Sequence, residues 1–189
     1  SQIDLNINNV RARLLGGGDM WWDGKSMLGS YLVPNFNNNS FKTSIFYSSS
    51  LWYGGLDVSG NIKIAAGTFR NSGIDFWSGP LDENGNTNSS NCNNWDRHFV
   101  VYSKEIIQHK NAFKLSKQNG TIYFLDSIPE NIRYWPSKGN PFFITKYNFD
   151  LPSSNQGLAP FFDENGDDIY NPVDGDYPIL DSKSSAIAD

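Results

Sequence analysis

Residues 44–70 read SIFYSSSLWYGGLDVSGNIKIAAGTFR, and their alternation decides the fold class. Successive side chains of an extended chain point to opposite faces. Ile45, Tyr47, Leu51 and Tyr53 therefore share one face, and Phe46 and Trp52 the other. Gly54-Gly55 and Ser59-Gly60-Asn61 are turn signals. Beyond them Ile62, Ile64, Ala66 and Thr68 alternate with Lys63, Ala65, Gly67 and Phe69. The pattern predicts an antiparallel hairpin or meander, with a solvated Arg70 at its exit.

Upstream, Ile3, Leu5 and Ile7 alternate as a strand, which Gly16-Gly17-Gly18 breaks. No phosphate-cradling glycine pattern is present. Trp21 and Trp22 are adjacent, so on a strand they face opposite ways. Burial in the core is the ordinary fate of such rings. The sharper reading makes Trp21, Trp22, Trp52 and Trp77 sugar-stacking residues.

Downstream, residues 71–98 are rich in Asn, Ser and Gly and read as mostly loop. Asp82, Asn84 and Asn86 alternate there like a cation loop, without a further well-placed acidic ligand. A helix is predicted from Ser103 across Ile106, Ile107 and Lys110, capped by Ser103. A second, short helix is predicted from Pro129 to Trp135, stopped by Pro136. Thr121–Leu125 reads as a strand, and the apolar run Phe142–Thr145 as a further one.

One stretch points to a specific chemistry: GLAPFFDENGDDIYNPVDGDYP, residues 157–178. Calcium takes six to eight oxygen ligands, which a twelve-residue loop supplies from alternate positions. Counted from Asp163, the ligand positions are Asp163, Asn165, Asp167, Ile169 through its carbonyl, Asn171 and Asp174. Position six is Asp168 where a glycine is usual, and position twelve is Asp174 where a glutamate is usual. The plain alternative is an acidic turn between aromatic flanks. The expected cofactor is thus a structural Ca2+ that holds Pro160–Phe162 and Tyr177–Pro178 together.

The chain has 20 acidic and 15 basic residues, a net charge of −5 and a pI near 4.9. That balance argues against nucleic acid, which needs a basic face. No basic cluster suits a membrane surface, and no apolar run is long enough to span a bilayer, so direct membrane insertion is not expected. Cys92 is the single cysteine, which rules out an internal disulfide. With His98 it lacks the further ligands a zinc site needs. A Cys92–His98 nucleophilic pair would also need an orienting partner. Nothing in the pattern demands an enzyme.

The blocks NNVRARLLGGGDMWWD, SLWYGGLDVSGNIKIAAGTFR, GIDFWSGPLD, CNNWDRHFVV, IRYWPSKGN and LAPFFDENGDDIYNPVDGDYP resemble the N-terminal region of large surface proteins of Bacteroidota. Those proteins are exported by the type 9 secretion system, and some are associated with gliding motility. The resemblance implies an extracellular or outer-membrane-surface location and a signal peptide already removed. The implied partners are the type 9 translocon during export and other surface proteins or glycans. The resemblance carries no catalytic residues. Asp126-Ser127-Ile128 is similar to the short motif that receives O-linked glycans in that group, which makes Ser127 a glycosylation candidate.

The expected fold is mainly β, an antiparallel sandwich-like domain with one or two short helices and long Asn/Gly-rich loops. The expected division is a β-rich domain over residues 1–155 and an Asp-rich segment over 156–189 that opens a longer chain. The expected function is a non-enzymatic structural or adhesin-type surface module. The rival expectations are a carbohydrate-binding module and the non-catalytic start of a secreted hydrolase.

Overall fold

The computed structural model describes residues 1–7, 9–34, 43–67, 75–82, 84–152 and 158–179. The exit of the predicted hairpin at Thr68–Arg70, the boundary at 155/156 and the tail from residue 180 onward lie outside the described residues. The chain divides into two compact units. One comprises residues 1–79 and 88–98, the other residues 80–87 and 99–189.

The first unit is built on antiparallel strands. Strands β1 (Gln2–Ile7) and β2 (Val10–Leu15) form a hairpin in full register, Gln2 opposite Leu15 and Ile7 opposite Val10. The far edge of β2 is shared by β3 (Asp19–Met20) and β4 (Tyr31–Leu32). Strands β5 (Ser44–Phe46) and β6 (Ser49–Ser50) extend this sheet beyond β4 and β3 respectively. Asp4 lies directly opposite Arg13 in the hairpin. Its carboxylate pairs with both Arg13 and Arg11, and Arg13 also donates to Asp23 at 2.9 Å. These partners neutralise the buried Arg13 guanidinium and hold the Asp4 carboxyl below its ordinary value against the desolvation that would raise it.

The predicted hairpin is present as β7 (Trp52–Leu56) and β8 (Ile62–Ala66), paired from Trp52–Ala66 to Leu56–Ile62. Asp57 closes its turn by accepting from the N–H groups of Ser59 and Asn61, both at 2.9 Å. Helix α1 (Ser89–Trp95) occupies part of the stretch read from sequence as loop. It starts where the Asn88 side chain accepts from Asn91 N–H at 2.8 Å. SSNCNNW has no apolar period, so only its cap could have signalled a helix.

The second unit carries the larger core. Helix α2 (Ser103–Asn119) is longer than its sequence signal. Its cap is Tyr102, not Ser103: the Glu105 carboxylate reaches back to Tyr102 N–H at 3.1 Å. Gly120, at φ +62°, ends it. Helix α3 (Glu130–Arg133) matches the short helix predicted after Pro129. Thr121–Phe124 form no strand and lead into a 3-10 turn at Leu125–Ser127. The apolar run at Phe142 is helical, as α4 (Phe143–Tyr147). Its buried Phe143 packs among Phe99, Tyr147 and Phe149. Ile106, Tyr123, Ile128, Ile132, Tyr170, Tyr177 and Ile179 make one buried cluster. Strands β9 (Phe161–Phe162) and β10 (Tyr177–Pro178) close the unit as an antiparallel pair.

The expected antiparallel sheets are present. Helix and strand nevertheless occupy nearly equal shares of the described residues, with four helices where one or two were expected, so the architecture is mixed α and β rather than mainly β and not clearly a sandwich. Short apolar runs do not distinguish a strand from one buried helical turn, and tertiary packing made that choice at Phe143.

Candidate functional site

The Asp-rich loop begins where β9 and β10 pair. Phe162 lies opposite Tyr177, and their rings stack at 4.8 Å with planes 17° apart. This brings Asp163 and Asp176 to the base of the loop from its two ends. Asp163 accepts from Gly166 N–H and Asp168 N–H, both at 2.7 Å. The bond from Asp168, followed by that from Gly166, holds its carboxyl below the ordinary value. Asn165 accepts from Asp167 N–H at 3.0 Å and donates to the Asp167 carboxylate at 3.0 Å. Asp167 accepts from Ile169 N–H at 2.9 Å. Asn171 donates to Asp174 at 2.6 Å and accepts from Val173 N–H at 3.2 Å.

The six residues named from spacing thus share one loop, and the side-chain oxygens of Asp163, Asn165, Asp167, Asn171 and Asp174 are engaged by its backbone and side-chain donors. Asp168 stands at φ +62°, the left-handed conformation that a glycine usually supplies at this position. Lys138 pairs with its carboxylate. Among the described residues no three Asp, Glu, His or Cys side chains converge as a ready-made metal cage. Ionised carboxylates keep lone pairs beyond the hydrogen bonds they accept here.

Spacing missed the carboxylate that organises the loop. Asp176 is fully buried, accepting from Glu164 N–H at 2.9 Å and from Asn171 N–H at 2.7 Å. One side chain therefore ties the first arm of the loop to its last. Burial pushes its carboxyl above the ordinary value, the two N–H bonds oppose that, and the charges of Asp163 and Asp167 add to it. The signal was present: Asp174-Gly175-Asp176 continues the alternation past the twelfth position.

Two further groups fix the loop to the core. Tyr170 is fully buried and donates its hydroxyl to Ile132 C=O at 2.7 Å, while its N–H donates to Lys138 C=O at 2.7 Å. His109, also fully buried, sits between the Tyr123 hydroxyl at 2.8 Å from Nδ1 and Asp176 C=O at 3.0 Å from Nε2. A carbonyl only accepts, so Nε2 carries the proton and Nδ1 accepts from Tyr123. Burial depresses the imidazole to about 4 and raises the Tyr123 phenol to about 12.

The other residues singled out lie elsewhere. Trp21 and Trp22 follow β3 and are half-buried; Trp21, at φ +73°, meets Tyr31 edge-on at 4.9 Å. Trp52 and Trp77 are 68% and 67% exposed. Cys92 is half-buried in α1. His98 Nδ1 lies 3.4 Å from Ser1 Oγ. Ser127 ends the 3-10 turn with its side chain exposed, and α3 has no side-chain cap, so the Ser127 hydroxyl does not serve as one. No helix among the described residues is long and apolar enough to cross a membrane. Comparison with family models, with curated proteins and with solved structures gives no match.

Proposed function

We propose that this chain is a non-catalytic structural or adhesin-type module of an extracellular surface protein exported by the type 9 system. The observation that carries the reading is the β7–β8 hairpin. The register places Trp52, Gly54 and Leu56 on one face with Ile62, Ile64 and Ala66. Trp52, Leu56, Ile62 and Ile64 are 66–73% exposed. A contiguous apolar patch of this kind marks an interaction surface. The block resemblance supplies the extracellular setting and the export route.

In this reading Ca2+ braces the Asp163–Asp174 loop, with Asp163, Asn165, Asp167, Asn171 and Asp174 offering side-chain oxygens and Ile169 a carbonyl. The exposed Ser127 hydroxyl is the site open to an O-linked glycan. The test is a Leu56→Lys, Ile64→Lys double variant in the source cells, with protease accessibility at the cell surface as the export readout. Wild-type surface display with lost attachment to neighbouring cells or substratum supports the proposal. Unchanged attachment removes the hairpin from it, and retention of the wild-type chain in the periplasm overturns the export assignment.

The exposure of Trp52 and Trp77 favours a second reading, a carbohydrate-binding module. Loss of neutral-glycan binding on Trp52→Ala and Trp77→Ala would select it over the first.

A further inference from the structure

An open groove of about 570 Å³ runs along α2 in the second unit, a size suited to a ligand of one to three rings. Lys110, Lys114 and Lys117 line it from one side. They stand four and three residues apart, which places their side chains on one helix face about a turn apart. Phe113 of the same helix and Phe162 and Tyr177 of the β9–β10 pair line it as well. Gly175 lets this floor form. At φ +102° its backbone seats so closely on Phe113 that an added Cβ would lie 2.3 Å from the ring.

The charges of the groove are asymmetric. Lys117 pairs with Glu164 at 3.3 Å and lies over the Phe113 ring at 4.6 Å. Lys110 holds its ammonium 4.5 Å from the Tyr177 ring centroid. Among the described residues neither Lys110 nor Lys114 has a carboxylate partner. In a chain with 20 acidic and 15 basic residues, two ammonium groups on one concavity form a local positive site in an acidic molecule. Half-buried Phe113 and Phe162 offer flat apolar surface beside them, and Asn111 and Gln118 add amide groups at the rim.

From this combination we infer that the groove binds a carboxylated saccharide. An acidic sugar presents an apolar C–H face to Phe113 and Phe162, hydroxyls to the two amides and a carboxylate to Lys110 and Lys114. A polymer of such rings meets successive lysines along the helix. The groove lies in a different unit from the β7–β8 face and from Trp52 and Trp77, so it does not rest on either of those surfaces.

Affinity electrophoresis of the purified chain in gels containing polygalacturonate, neutral galactan or double-stranded DNA tests the assignment. Retardation by polygalacturonate alone is expected. A Lys110→Ala, Lys114→Ala variant changes only exposed side chains, and its circular dichroism and melting curve check the fold. The variant should bind at least tenfold more weakly, since about tenfold is the scale of losing a single charged hydrogen bond and two ammonium groups are removed. Trp52→Ala, Trp77→Ala should bind unchanged. No retardation by polygalacturonate, equal retardation by galactan or by DNA, or undiminished binding by the folded lysine variant would each overturn the inference.

Discussion

Gly175 and His109 show how single residues set the second unit. At Gly175 any side chain meets two obstacles, the positive φ and the Phe113 ring. Gly175→Ala is expected to destabilise the chain by about 2–4 kcal/mol, combining left-handed strain with overpacking. The midpoint of denaturant unfolding reads this, and an unchanged midpoint would show that Phe113 yields freely. His109 makes stability depend on pH. Its folded value of about 4 lies below the ordinary imidazole value of 6.5, so the unfolded chain takes up the proton first as pH falls. The contribution is complete above pH 6.5 and is lost as pH falls toward 4, amounting to about 3 kcal/mol. Asp176, displaced upward, acts in the opposite sense, since acid relieves its buried charge. His98, lowered chiefly by burial, acts in the same sense as His109 but in the first unit. A His109→Gln variant should therefore show a shallower loss of stability between pH 6.5 and 4. Equal slopes for both proteins would exclude His109 as the titrating group.

The Asp163 loop and the β7–β8 hairpin are the informative elements. If the loop takes Ca2+, the melting midpoint of the second unit rises with calcium and falls back with chelator, as ligand linkage requires. Asp163→Ala should abolish the increment while also removing the N–H bonds from Gly166 and Asp168. A midpoint indifferent to calcium would leave the loop held by its hydrogen bonds alone. The hairpin was legible from alternation and its Gly-Asn turn, which specify it locally, whereas Gly54-Gly55, read as a turn, lie inside β7 opposite Ile64 and Lys63. That every residue of β7 is exposed was not legible, since the same alternation serves a buried face and a displayed one. That Asp163, Asn165, Asp167, Ile169, Asn171 and Asp174 share one loop was legible from spacing, whereas the role of Asp176 depends on its burial and on the N–H groups of Glu164 and Asn171 that it accepts from.

Across the molecule, buried apolar side chains are unevenly shared. Among the described residues the first unit buries Ala12, Leu32 and Trp95, while the second buries the Ile106–Ile132–Tyr170–Tyr177 cluster and Phe143. Local opening is easiest where few apolar groups are packed. Amide exchange is therefore expected to be fast throughout β7 and β8 and slow in α2 around Ile106 and His109. Uniform exchange across both units would contradict this division. The sequence by itself determined the antiparallel β7–β8 hairpin, the Asp-led turns, the acidic charge balance and the absence of an internal disulfide, because each follows from local pattern or from composition. Only the tertiary structure decided that Phe142–Tyr147 coils, that Asn-rich 89–95 is helical, that Asp176 is the buried tie of the calcium-type loop and that three lysines of α2 face an aromatic floor. The burial of Phe143, the tie made by Asp176 and the lysine-lined floor depend on contacts between residues far apart in the chain, which no local pattern encodes.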